Sequence, residues 1–294
     1  MKSGLVAVVG RPNVGKSTLV NRMVGRKVAI TSTRPQTTRS TIRGVVNGDD
    51  GSFQIVLVDT PGLHRPRVEI GHRLNRMIYG TLAEADVVCF VIDATQPIGP
   101  GDRMVAERAG QVKAPVIIAV NKVDLAGPSQ LAPQLDEAAD WDFAAYVPVS
   151  AMTGEGLERL VGEIAGRLPE GPGLFPPGMV TDQAEEFLIA EIIREKFLER
   201  LHDELPHSLI VRVRSVEQED TLLRIEADVL VERDSQKGIV IGHRGETLGQ
   251  SGTEARLELE ALFATKVHLQ LRVRVEADWQ RRPQLLDRLG FPTV

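Results

Sequence analysis

The chain is predicted to be an α/β protein of two units: a mostly parallel sheet with helices on both faces, then a smaller α+β unit. Three observations carry this reading. From Leu5 to Leu168 short β-branched runs alternate with helical patterns, the order that builds a parallel sheet covered by helices. The alternation stops at PEGPGLFPPG, Pro169–Gly178, where proline and glycine interrupt regular structure. Beyond it the pattern is helix, strand, strand, helix, helix, strand. The expected division is 1–170, a Pro/Gly linker at 171–180, and 181–294 including a C-terminal tail.

The elements follow in order. LVAVVG is the first strand, and a helix opens after Gly15. TIRGVVN and FQIVLVD are the next strands, followed by a helix near Gly71–Leu82, strand VVCFVID and a helix near Asp102–Gly110. Strand PVIIAVN, a helix near Ser129–Ala139, strand AAYVPVS and a helix near Gly156–Arg167 complete the first unit. The second begins with an amphipathic helix, Asp182–Leu201, whose acids are expected on its outer face. Extended runs Ser208–Val216 and Thr221–Glu232, a short segment ending at Gly242, a helix at Glu246–Phe263 and a strand at Lys266–Glu276 follow.

Of the 294 residues 42% are hydrophobic and 26% charged, the balance of a soluble folded protein and not of a fibre or disordered tail. A single cysteine, Cys89, allows no intrachain disulfide, so a reducing compartment, the cytosol, is expected. MKSGLVAVVG lacks the pattern of a signal peptide, and no apolar run approaches about 18 residues, so neither secretion nor a spanning helix is expected. Residues 1–171 hold 19 Lys+Arg against 18 Asp+Glu, leaving 16 against 22 for 172–294. A nucleic-acid site in the second unit must therefore be a local patch.

Gly10-Arg11-Pro12-Asn13-Val14-Gly15-Lys16-Ser17 follows a strand and opens a helix, the setting in which G-x-x-x-x-G-K-S wraps backbone N–H groups around phosphates. Lys16 is expected to reach the β- and γ-phosphates and the Ser17 hydroxyl to hold Mg²⁺, with both on an exposed loop and Thr18 continuing the cradle. Asp59-Thr60-Pro61-Gly62 ends a strand, where Asp59 can reach Mg²⁺ through water and the Gly62 N–H the γ-phosphate. Asn121-Lys122-Val123-Asp124 and Ser150-Ala151-Met152 end two more strands. There Asp124 can accept from guanine N1–H and N2–H₂, which adenine cannot match. Asn121 would brace the loop, the Lys122 stem would lie along the base, and the Ala151 N–H could donate to guanine O6.

In the second unit Gly242-His243-Arg244-Gly245 joins a short helical segment to a longer one. Such a glycine loop permits close backbone approach to single-stranded nucleic acid, with His243 and Arg244 meeting phosphates. Lys237, Ile241 and Arg256 are nearby candidates. Gly48/Gly51 and Gly249/Gly252 repeat the G-x-x-G spacing, so the setting, not the pattern, gives it weight.

The nucleotide motifs resemble those of translation-factor-like GTPases, and more narrowly the branch with G-x-P-N-x-G-K-S, T-T-R and D-T-P-G. The resemblance implies a P-loop GTPase that binds GTP or GDP and hydrolyses GTP through Asn13, Lys16, Thr38 and Gly62. Thr37-Thr38-Arg39 is the first switch, with Thr38 as a third Mg²⁺ ligand beside Ser17 and Asp59, and Thr37 the fallback. Leu63 stands where many GTPases carry glutamine, and leucine cannot orient water. The branch looks instead to K⁺ held partly by Asn13. His64 is a weaker candidate, and Arg34, Arg39, Arg65 and Arg67 are read as surface charge. Slow intrinsic hydrolysis follows.

The whole chain, with VERDSQKGIVIGHRG in a type II KH order, resembles the Era family of bacterial GTPases of small-subunit assembly. That resemblance implies a monomer binding the 3′ end of 16S rRNA on the small ribosomal subunit, in the cytoplasm with peripheral association with the inner membrane. The rival reading, which the acidic second unit favours, is a GTPase whose C-terminal unit docks a protein and never touches RNA.

Overall fold

The computed structural model describes residues 1–32, 37–62, 69–201 and 205–288. The first unit contains β1 (Lys2–Val9), α1 (Lys16–Val24), β2 (Ile42–Asn47), β3 (Phe53–Asp59), α2 (Glu69–Glu84), β4 (Val87–Asp93), α3 (Pro100–Ala109), β5 (Val116–Asn121), α4 (Pro128–Ala139), β6 (Ala145–Val149) and α5 (Leu157–Arg167). Its strands lie in the order β2-β3-β1-β4-β5-β6. All neighbours are parallel except the edge pair β2 and β3. Successive residues of a strand face opposite sides, so Val6 and Val8 enter one core while Ala7 and Val9 enter the other. Two cores explain why these strands read as continuous apolar runs. Cys89 is buried among them, and burial pushes its thiol up to about 12.

The second unit contains α6 (Glu185–Arg200), α7 (Leu205–Ser208), β7 (Ile210–Glu219), β8 (Leu222–Val231), α8 (Asp234–Ile241), α9 (Glu246–Phe263), β9 (Lys266–Val275) and α10 (Pro283–Arg288). Strand β8 is central, antiparallel to β7 and parallel to β9. The inner face of this sheet and α6, α8 and α9 close one core.

Three features depart from the sequence reading. Residues 174–180 are strapped to the first sheet: Gln54 Oε1 accepts from the N–H groups of Leu174 and Phe175 at 2.7 and 2.8 Å, and Val45 N–H donates to Val180 O at 2.9 Å. Helix α6 turns only part of its acid outward: Glu185, Glu186 and Glu199 are exposed, whereas two acids are drawn in. Glu195 is buried and, with Glu258 of α9, takes an ion pair from Lys27 of the first unit; Glu191 pairs with the buried Arg194. The helix is wedged between the units, which is why its apolar residues spread around its circumference. Finally, the chain after the last strand is folded as far as residue 288. A 3₁₀ turn at Trp279–Arg281 and α10 bring Trp279 and Leu286 against Ile70, Leu74 and Met77 of α2 and Ile210 and Leu230 of the second sheet.

Candidate nucleotide site and RNA interface

The phosphate loop leaves β1 and enters α1 through backbone conformations that its sequence tolerates. Asn13 and Gly15 have φ of 65° and 98°. A Cβ on Gly15 would stand 2.3 Å from Asn121 Nδ2, so this position admits no side chain. Lys16 is only 6% exposed, not on an exposed loop, and its Nζ donates to Gly10 O at 3.1 Å and Arg11 O at 2.9 Å. Burial pushes its pKa down to about 8 against the pull of Asp59. An ammonium satisfied by two loop carbonyls is poised to exchange them for phosphate oxygens.

Ser17, Thr38 and Asp59 converge from α1, the segment before β2 and the end of β3. Ser17 Oγ donates to Asp59 Oδ2 at 2.6 Å, and Thr38 Oγ1 lies 2.9 Å from Ser17 Oγ and 3.4 Å from Asp59 Oδ2. Thr37 is held differently, its carbonyl accepting from Arg194 Nη2. Thr38 is the threonine whose hydroxyl lies beside Ser17 and Asp59. Asp59 Oδ1 is buried without a hydrogen-bond partner, and burial raises the Asp59 pKa against the opposing effects of Lys16, Ser17 and Thr38. Two hydroxyls and a carboxylate with an unmatched oxygen suit Mg²⁺, a hard cation that prefers oxygen ligands.

At the end of β5 Asn121 ties three segments together. Its Nδ2 donates to Val14 O at 2.8 Å, and its Oδ1 accepts from Ala151 N–H at 2.9 Å. That second bond engages, inside the protein, the Ala151 amide expected to face guanine O6. Lys122 Nζ pairs with Asp93 Oδ2 at 2.6 Å and donates to Asn13 O at 2.9 Å, so its stem bridges to the phosphate loop. Asp124 is exposed in the following turn, and the Ser150 hydroxyl accepts from Thr153 N–H at 3.0 Å. Met152 is 73% exposed. Gly62 packs so tightly on Pro12 that a Cβ would stand 2.8 Å from it. A cavity of about 540 Å³, within the range of small-molecule sites, lies over the phosphate loop, with Lys16, Ser17, Thr38, Gly62 and Lys122 in its lining but not Asn121, Asp124 or residues 150–152. Leu63, His64, Arg34, Arg65 and Arg67 lie outside the described residues.

Arg39 is not surface charge. It is 5% exposed, donates to Leu209 O of the second unit at 2.8 Å and stacks on Trp279 at 6.0 Å from the ring centroid. Arg73 of α2 reaches Asp287 at 2.6 Å. The segment at Thr37–Arg39 and helix α2 are thus both fastened to the second unit. The sequence reading missed Arg194, which stands among the charged residues Arg194-Glu195-Lys196 of the helix.

In the second unit Gly242, Arg244 and Gly245 all have positive φ, of 77°, 51° and 83°. This bend turns His243 and Arg244 outward to solvent. A Cβ on Gly242 would meet Thr247 Oγ1 at 2.3 Å. Lys237 and Ile241 lie half-buried on α8. Beside the loop runs a groove of about 250 Å³ lined by Leu248, Gly249, Gly252, Thr253, Leu269 and Leu271, with Arg256 at its side. The glycine pair 249/252, a chance repeat in the sequence reading, keeps this groove open. Arg256 is paired with Glu260 at 3.1 Å, which reduces its charge toward a ligand.

A glycine loop at the head of a parallel sheet, a hydroxyl and carboxylate cluster beside it and a G-x-x-G unit define a P-loop nucleotide-binding protein with a KH domain. A family model described as 50S ribosome-binding GTPase matches residues 5–122, and a KH-domain model matches 204–280. The chain is 52% identical to GTPase Era of Mycobacterium sp. (strain JLS), covering 99% of each, and 50% identical to GTPase Era of Mycobacterium tuberculosis (strain ATCC 25177 / H37Ra), covering 98% of each. The crystal structure of an Aquifex aeolicus Era variant bound to GDP·AlF4⁻ matches with TM-score 0.94 and 38% identity over 99% of this chain and 100% of that one. A structure of Era with MgGDPNP and nucleotides 1506–1542 of 16S ribosomal RNA matches with TM-score 0.95 and 39% identity over 99% of both chains. The chain belongs to the Era family of GTPases.

Proposed function

We propose that this GTPase is a switch that binds 16S rRNA near its 3′ end through the KH groove and assists small-subunit assembly and rRNA maturation. The observation that carries this reading is the double fastening of the switch segments: Thr37 to Arg194 of α6, and Arg39 to Leu209 and Trp279. Any rearrangement of Thr38 toward Mg²⁺ and a γ-phosphate pulls on the RNA-binding unit. The units are proposed to span 1–170 and 181–294, with 171–180 between them.

Lys16 would neutralise the β- and γ-phosphates, Ser17, Thr38 and Asp59 would hold Mg²⁺, and the Gly62 N–H would meet the γ-phosphate. Mg²⁺ supplies charge stabilisation to phosphoryl transfer. The loop residues Asn13, Val14 and Gly15, with Thr18, would cradle the phosphates, and Asp124, with Asn121, Lys122, Ser150, Ala151 and Met152 around it, would select guanine. With leucine at position 63 hydrolysis is slow, and K⁺ beside Asn13 supplies transition-state charge. His243, Arg244 and Lys237 would contact the RNA backbone, with Ile241 packing beneath the loop. Among the described residues no helix is long and apolar enough to cross a membrane. A cytoplasmic monomer with peripheral attachment to the inner membrane surface completes the proposal.

Crosslinking the purified protein to total RNA with a GTP analogue or with GDP, followed by sequencing of the attached RNA, tests it. Enrichment of the 3′ end of 16S rRNA that depends on the nucleotide is expected. RNA recovery no higher than from the isolated GTPase unit would turn the assignment toward a protein-docking C-terminal unit.

A further inference from the structure

The nucleotide cavity is not made by the first unit alone. Glu199, on the last turn of α6, lines it together with Ile30, Thr31 and Ser32. Helix α6 backs this wall: Glu195, one turn earlier, accepts the Thr31 N–H at 2.7 Å. Residues four apart share a helix face, so the bond that fixes Glu195 also aims Glu199 at the cavity.

The other acids on this face of α6 are neutralised. Glu191 pairs with Arg194, and Glu195 with Lys27 and Lys196. The Glu199 carboxylate is exposed and has neither an ion pair nor a hydrogen bond among the described residues. The fold makes no use of it.

A carboxylate in a cavity shaped for a triphosphate repels its ligand unless something on that ligand donates to it. With the base at Asn121–Asp124 and the phosphates at Gly10–Ser17, as proposed above, the ribose lies between them and borders the Ile30–Ser32 wall. Outside the base, the ribose 2′- and 3′-hydroxyls are the neutral donors of a nucleoside triphosphate. An ionised carboxylate accepts from both, forming charge-assisted bonds. An acidic side chain reads a ribose hydroxyl in the same way in dinucleotide-binding folds.

The geometry points to Glu199 as the acceptor of the ribose hydroxyls of bound guanine nucleotide, a contact delivered by the RNA-binding unit to the nucleotide site. It makes ribonucleotide selection depend on the docking of α6, and it gives the second unit a direct hold on nucleotide affinity beyond the switch segments.

The test measures dissociation constants of the full chain for GTP, 2′-deoxy-GTP and 2′,3′-dideoxy-GTP, in the wild type, Glu199→Ala and Glu199→Gln. Hydrogen bonds to a charged acceptor predict that the wild type binds GTP about tenfold more tightly than the dideoxy nucleotide. Glu199→Ala should bring this ratio near one, and Glu199→Gln should leave an intermediate ratio. Equal weakening of all three nucleotides by Glu199→Ala, a wild type indifferent to the hydroxyls, or a ratio that survives both substitutions would overturn the assignment. Asp124→Asn in the same assay separates the two levels. If it loses guanine preference while Glu199 variants keep their hydroxyl preference, the nucleotide placement stands and the Glu199 contact falls. If it keeps guanine preference, both fall.

Discussion

The guanidinium carbon of Arg39 lies 6.0 Å from the centroid of the Trp279 ring, joining the residue after Thr38 to the turn that follows the last strand of the chain. Trp279 is in turn held by its Nε1–H, which donates to Ser208 O at 2.9 Å. Burial, and then the charge of Arg194, pushes the Arg39 pKa below its ordinary value while Glu191 opposes them. A buried cation stacked on an aromatic face and bonded to a carbonyl is costly to unpair, so the contact acts as a latch between switch and KH domain.

Arg39→Ala should therefore lower stability by about 2 kcal/mol and uncouple RNA affinity from nucleotide state. Lysine should not rescue it, because an ammonium cannot both stack flat and keep the fork geometry. Urea unfolding and RNA binding with a GTP analogue or GDP provide the readouts. An unchanged affinity ratio between the two nucleotide states would remove Arg39 from the coupling.

Asp124→Asn should weaken GTP binding about a hundredfold or more and gain xanthine nucleotide, because an amide donates to xanthine O2 where the carboxylate accepted from N2–H₂. Competition between GTP and XTP measures this. Retained GTP preference would place the base elsewhere.

Hydrolysis should run faster in K⁺ than in Na⁺ at equal ionic strength, and Asn13→Ala should erase the difference. Equal rates in the two salts with the wild type would direct the search to a cation supplied in trans.

Replacing His243 and Arg244 together with aspartate should abolish binding to a single-stranded oligonucleotide matching the 3′ end of 16S rRNA and leave GTP affinity intact. With Arg256 engaged by Glu260, few phosphates are neutralised, and the salt slope should be shallow, on the order of −2. Undiminished RNA binding by the double variant would defeat the KH reading.

Acid should loosen the contact between the units. Partial burial raises the Glu258 pKa, but hydrogen bonds from Lys196 and Lys27 outweigh it and hold the carboxyl below its ordinary 4.5. A carboxyl depressed in the folded state stabilises the fold above its unfolded value, and the contribution is lost as pH falls through the folded one. Stability should drop below about pH 4.5, and Glu258→Gln should flatten that drop while costing about 1 kcal/mol or less near neutrality. Urea midpoints against pH provide the check; identical acid limbs in the two proteins would exclude Glu258 from the effect.

The sequence by itself determined whatever is local in the chain. Strand periodicity, the glycine spacing from Gly10 to Gly15, Asp59 at a strand end, Asn121 to Asp124 in one turn and Gly242 to Gly245 between two helices each depend on residues a few positions apart. Their backbone requirements are therefore visible without a fold. Tertiary structure decided what depends on distant residues meeting. It brought Thr38 beside Ser17 and Asp59 from a distant segment. It turned Arg39 from a solvated charge into a buried latch, because Trp279 and Leu209 fold back onto it. It drew Glu195 of α6 inward, because Lys27 waits more than 160 positions away. It also gave Gly249 and Gly252 a purpose, by laying β9 along their helix. Periodicity reports which face of a helix is apolar, whereas the charge that will meet a buried acid is set by packing between units, which leaves no mark on the spacing of either one.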